Sequence, residues 1–118
     1  MRHGNHKYKM GVKPQHRKAL VQGLASDLIK HGKIRTVETK AKALRPFIEK
    51  LVTIAKNDTI ANRRLAFTKL NNRDAVNTLF TSVAPKFKQR PGGYTRILKL
   101  AEGRLGDGAK EAFIAFVE

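Results

Sequence analysis

The chain has 118 residues, 41% of them hydrophobic, and sets 25 Lys and Arg against 9 Asp and Glu, for a formal charge of +16 and a sequence pI near 10.8. Such an excess resists self-association and compaction, so a polyanionic partner is its natural reason, while the length suits one domain able to bury about two-thirds of the surface its unfolded form exposes. The absence of cysteine excludes a disulfide framework and thiolate zinc sites and fits a reducing compartment.

Residues 1–13 hold Arg2, His3, Lys7, Lys9 and Lys13, no acid and almost nothing to bury. They read as a basic, extended N-terminal arm ahead of one globular domain, 14–118. A solvated terminus is the ordinary fate of such a segment. Because no acid precedes Asp27, and because His16, Arg17 and Lys18 continue the run, the arm reads instead as a nucleic-acid-binding extension that orders on contact. No apolar run of signal-peptide or membrane-spanning length follows, so the sequence reads as soluble and intracellular, with no membrane partner.

Pro14 suits the first turn of a helix and Gly32 the position just past its end at His31; between them Leu20, Leu24 and Leu28 recur beside Val21, Ala25 and Ile29. Lys30 and His31 fall in the last turn, where a role toward the exposed carbonyls competes with nucleic-acid contact. The β-branched run Lys33 to Glu38 predicts a strand, and Thr39 a cap for the helix after it. Ala41, Leu44, Ile48, Leu51, Val52 and Ala55 then form a helical stripe that must face a core. Pro46 inside it predicts a kink, or a start delayed past Leu44.

Asp58 or Thr59 can cap a third helix, Ile60 to Leu70, with Ile60, Phe67 and Leu70 as its apolar side. Asn71-Asn72 signals a turn, and Val76, Leu79, Phe80 and Val83 mark a fourth helix that Ala84-Pro85 should close, with Phe87 folding back over the core. After the loop Pro91-Gly92-Gly93, Tyr94 to Leu100 reads as a strand; the glycine-bearing loop 103–108 precedes a last strand, 111–117. There Phe113, Ala115 and Val117 alternate with Ala112, Ile114 and Phe116. With both faces apolar, that strand should be central. The sum is an α+β domain, four helices on a small three-stranded mixed sheet.

Nothing in the sequence looks like an active site, a small-molecule substrate pocket or a cofactor loop: the acids are scattered and the closely spaced glycines of 103–108 precede a strand, not a helix. His3, His6 and His16 invite a metal reading, but zinc needs four rigidly held ligands, and an arm supplies no such frame; contact with phosphates or bases suits these imidazoles better. Arg63-Arg64, with Asp58 the one acid nearby, and the exit run Lys86, Lys88 and Arg90 add cationic forks suited to phosphate, as does Arg96 on the strand after it. Tyr94 reads as a packing residue rather than a stacking one.

The residues Ile34, Thr36, Lys40-Ala41-Lys42, Glu49, Leu51-Val52-Thr53 and Ala55-Lys56 resemble the signature of the bacterial large-subunit ribosomal protein family L-seventeen. Met1-Arg2-His3, His16-Arg17-Lys18-Ala19-Leu20, Arg63-Arg64, Ala84-Pro85 and Gly92-Gly93-Tyr94-Thr95-Arg96-Ile97-Leu98-Lys99-Leu100 follow in the family's order, with Val37 where the family usually has Thr. The resemblance implies the same architecture and a non-enzymatic, cytoplasmic constituent of the large ribosomal subunit, bound to 23S-type ribosomal RNA near the nascent-chain exit beside other ribosomal proteins. The competing readings are a basic architectural DNA-binding protein, which wants a dimer seam or a recognition helix, and a small RNA-cleaving enzyme, which wants a histidine paired with a second acid-base group. If the strand alternates into the core, Val37→Thr should cost about 1 kcal/mol.

Overall fold

The computed structural model describes residues 14–103, Gly106, Gly108 and 110–117; the basic arm, 1–13, lies outside them. In chain order come α1 (Pro14–His31), β1 (Lys33–Val37), α2 (Glu38–Ala55), α3 (Ile60–Leu70), α4 (Arg73–Thr78), a π turn (Leu79–Val83), a 3-10 turn (Ala84–Phe87), β2 (Thr95–Gly103) and β3 (Lys110–Phe116). The strand order is β1-β3-β2 and both pairings are antiparallel. The sheet is therefore not mixed. The helical crossover does bring β2 in parallel to β1, but β3 inserts between them and separates the one pair that would have made it so.

Gly32 closes α1 in the left-handed region, φ 79°, its N–H donating to Leu28 O at 2.7 Å. Its own carbonyl accepts from Phe116 N at 3.1 Å, which ties the end of α1 to the end of the sheet. The core lies between α1, α2 and the inner sheet face, where Leu28, Leu44, Ile48, Leu51, Leu79 and Ile114 are fully buried.

Three local expectations change. The α2 helix starts at Glu38, uncapped by any side chain, and Thr39 is exposed in its first turn; Glu38 occupies the position where negative charge suits the helix N-terminus and pairs with Lys42 at 2.9 Å and Lys99 at 3.3 Å. The helix continues through Pro46, because that residue is exposed and the carbonyl it leaves without a partner can meet water while the buried stripe runs on beneath. Ala84-Pro85 does not close the fourth helical segment. The chain widens into the π turn before the proline, with Ala84 N reaching Leu79 O, and continues as a 3-10 turn in which Pro85 occupies the first turn. That path buries Leu79, Phe80, Val83, Ala84 and Phe87.

Thr59 caps α3, accepting from Asn62 N at 3.1 Å; of its expected apolar side Leu70 is buried, together with Ala66, but Ile60 is 73% and Phe67 41% exposed. The Asn62 side chain donates to Ile54 O at 3.2 Å and Asn57 O at 2.7 Å. By satisfying carbonyls at the end of α2, it fixes the rotation of α3 so that 62, 66 and 70 face inward. Asn71, at φ 53°, ends α3, and Asn72 caps α4 through Ala75 N at 3.0 Å.

Candidate nucleic-acid interface

One face of α2 holds the start of β2 in place. Glu49, half-buried, accepts from Tyr94 N at 3.1 Å and from Thr95 Oγ1 at 2.9 Å. One turn on, the Thr53 hydroxyl lies 3.3 Å from the Tyr94 hydroxyl, and Lys56 Nζ donates to that hydroxyl at 3.0 Å and to Arg90 O. Arg45 Nη2 donates to Thr95 O at 3.3 Å. Helical spacing puts Glu49, Thr53 and Lys56 on one line. Tyr94 is buried, 5.4 Å from Phe87 between ring centroids, so it packs and does not stack on a partner. Its hydroxyl is held below the usual phenol range, first by the Thr53 hydrogen bond and then by Lys56. Most of the family-like residues quoted for this region therefore build the frame of the site and not its contact surface.

That frame delivers a cationic groove. At the end of the sheet where α1 stops and β2 starts, Lys30, His31, Lys33, Lys86, Arg90 and Arg96 line a cleft of about 960 Å³ with Thr78 and Ser82, over a floor that includes Phe87 and Phe116. No acid is among its lining residues. Clustered cations without an acid raise the local potential and concentrate anions. Arg90 is positioned by its backbone: its N–H donates to Phe87 O at 2.9 Å, and its Nε to the carbonyls of Gly92 and Gly93 at 3.2 and 3.1 Å. Gly93 adopts φ 65°, a conformation that favours glycine, so the Gly-Gly pair lets the chain curl back under the guanidinium.

Of the residues marked in the sequence, Lys86, Arg90 and Arg96 meet in this groove, and Lys88 is exposed beside them. His16, Arg17 and Lys18 sit at the other end of α1, about 20 Å from His31 at the helical rise per residue. Arg63 and Arg64 lie elsewhere, on α3. Arg63 is gripped by Asp58, Nε to Oδ1 at 2.7 Å and Nη2 to Oδ2 at 2.9 Å, and its guanidinium lies 5.0 Å from the Phe80 ring centroid. Asp58 is held below, and Arg63 above, its ordinary value by that hydrogen bond. Arg64 is exposed. Arg2, His3, Lys7, Lys9 and Lys13 lie outside the described residues. Sequence reading did not single out Lys33 as a contact; its place one residue after Gly32, at the first position of a strand, was the available signal. Among the described residues no three His, Asp or Glu side chains could hold a metal ion, and no helix is long and apolar enough to cross a membrane.

Comparison with known proteins matches residues 20–117 to the family described as Ribosomal protein L17. The chain is 51% identical over 116 residues to the large ribosomal subunit protein bL17 of Lawsonia intracellularis, covering 98% of this chain and 92% of that one. It is 49% identical over 118 residues to the protein of the same name from Sulfurihydrogenibium, covering 100% and 98%, and 48% identical over 118 residues to that of Methylacidiphilum infernorum, covering 100% and 89%.

Proposed function

Given that this chain belongs to the ribosomal protein L17 family, and is thus a non-enzymatic structural constituent of the large ribosomal subunit in the cytoplasm, we propose that it works by binding large-subunit ribosomal RNA through its basic groove and basic N-terminal segment. The observation that carries this reading is the groove itself: five Lys and Arg side chains and His31 converge there from three separate parts of the chain with no acid between them. Cations so placed displace condensed counterions from closely approaching phosphates, and the released ions supply a salt-sensitive driving force. The packed domain sets the geometry of the groove. The acid-free segment with Arg2, Lys7, Lys9 and Lys13, leading into Arg17 and Lys18, follows phosphates rather than reading base edges. Arg64 is the better placed of the α3 pair, since Arg63 already has Asp58. We further propose a position near the nascent-chain exit, beside neighbouring ribosomal proteins, as the sequence resemblance implies.

The test is co-sedimentation with large subunits stripped of this protein, together with a salt titration on a ribosomal RNA fragment and a scrambled control. Removing residues 1–13 should flatten the slope of log affinity against log salt by about 3 if Arg2, Lys7, Lys9 and Lys13 all reach irregular or single-stranded RNA, at ~0.7 per contact. Discrimination between the two RNAs should fall less than affinity does. An unchanged slope would remove the N-terminal segment from the interface.

A further inference from the structure

Among the described residues the sheet has one face packed on helices and one that is not, and the second carries an aromatic ring at its centre. Ala112 and Ile114 are fully buried on the inner face, so alternation puts Glu111, Phe113 and Ala115 on the outer one. The strand register sets Arg35, Phe113 and Leu98 in one row across the three strands and Lys33, Ala115 and Arg96 in the next. Leu98 is 47% exposed, and Phe113 is only half-buried. The Lys33 ammonium lies 4.2 Å from the centroid of the Phe113 ring, and Arg35 pairs with Glu111, the neighbour of Phe113 on its strand, at 3.0 Å, which neutralises that acid.

An aromatic ring in that position does nothing for the core. Its surroundings are Lys33, Arg35 and Arg96, and the row of Lys33, Ala115 and Arg96 is also part of the wall of the cationic groove, about 7 Å along the strand. A π-face beside a phosphate-binding cleft, at the distance that separates a base from its own phosphate, is the arrangement of single-strand binding surfaces. We infer that Phe113 is a stacking platform for an unpaired base of an RNA strand whose phosphates lie in the groove; the inference rests on the RNA-binding reading above. Lys33 is exposed and long, so an arriving base displaces its ammonium from the ring, and an exposed cation–π contact is weaker than a base stack. The freed ammonium remains within the groove wall. A second basic protein would meet three cations here, which is why an RNA base is the occupant the charge favours.

The full-length protein is titrated with a short single-stranded oligoribonucleotide of mixed sequence and with a duplex of the same length. Phe113→Leu should weaken the single-strand complex about tenfold, leave the duplex complex and both salt slopes unchanged, and be rescued by Phe113→Trp. Equal affinity of Phe113→Leu for the single strand, or an equal loss on both RNAs, would overturn the inference while leaving RNA binding intact; wild-type protein that binds neither RNA would overturn the functional reading itself. Should Phe113→Leu fail to fold, ultraviolet cross-linking of the wild-type protein to 4-thiouridine-labelled single strand decides the matter. An adduct on Phe113 is expected, and adducts confined to other residues would contradict it, as they would if another segment of the chain covers the ring.

Discussion

Glu49 accepts one backbone N–H and one hydroxyl from the buried pair Tyr94 and Thr95 at the start of β2, so truncating it leaves two donors without an acceptor. Glu49→Ala should cost about 2–3 kcal/mol of stability and Tyr94→Phe about 1 kcal/mol, both read from denaturant midpoints. Val37 teaches a different lesson at the same scale. It is the N-cap of α2, at φ −65° and ψ 140°, with no side-chain hydrogen bond. The burial cost expected from the strand pattern gives way to a capping gain, and Val37→Thr should stabilise the protein by about 0.5–1 kcal/mol. The carboxyls of Asp58 and Glu38 sit below their ordinary values of 3.8 and 4.5, held down by Arg63 and by Lys42 and Lys99. Because the folded values are depressed, their contribution is present above pH 4.5 and is lost as the pH falls below 3.8 toward the folded values. The melting temperature should fall over that acidic window, and Asp58→Asn should flatten part of the fall; the Asp58 pair and the lysines that hold Glu38 are solvent-exposed, so the effect is small.

Elements with a strong period were legible. The stripe of α2, the span of α3, the turn at Asn71-Asn72 and the central place of β3 all follow from apolar spacing and turn chemistry that tertiary packing did not override. What the sequence hid were facts set by partners distant along the chain. The rotation of α3 is decided by Asn62 reaching the end of α2, not by the helix's own apolar residues. Asn62→Ala should therefore cost about 1–2 kcal/mol. Ile60→Ser should change stability by less than about 0.5 kcal/mol in thermal melts, although its spacing alone would put it in the core. The π turn could not be read because it arises where the helix must accommodate Pro85 while keeping Phe80 and Phe87 buried. The groove was half legible: Lys86, Arg90 and Arg96 stood out by type, but only the bond from Phe116 to Gly32 and the fold of the Gly92-Gly93 loop bring them to Lys30 and Lys33.

At the scale of the molecule, the charge of +16 is arranged rather than spread, with one acid-free cleft at the sheet end and one acid-free stretch before Asp27. The apolar stripes all lie beyond Lys18, so a chain begun at Lys13 should keep a cooperative melt. Loss of that transition would make the N-terminal segment part of the core. The most direct test of RNA binding through the groove is the salt dependence of affinity for a ribosomal RNA fragment, compared between wild type and the combined variant Lys30→Gln, Lys86→Gln, Arg96→Gln. All three side chains are exposed and none is used by the packing described above, so the fold should be retained. The slope of log affinity against log salt should flatten by about 2, at ~0.7 for each lost phosphate contact; a slope equal to that of the wild type, in a folded variant, would contradict the assignment of the groove.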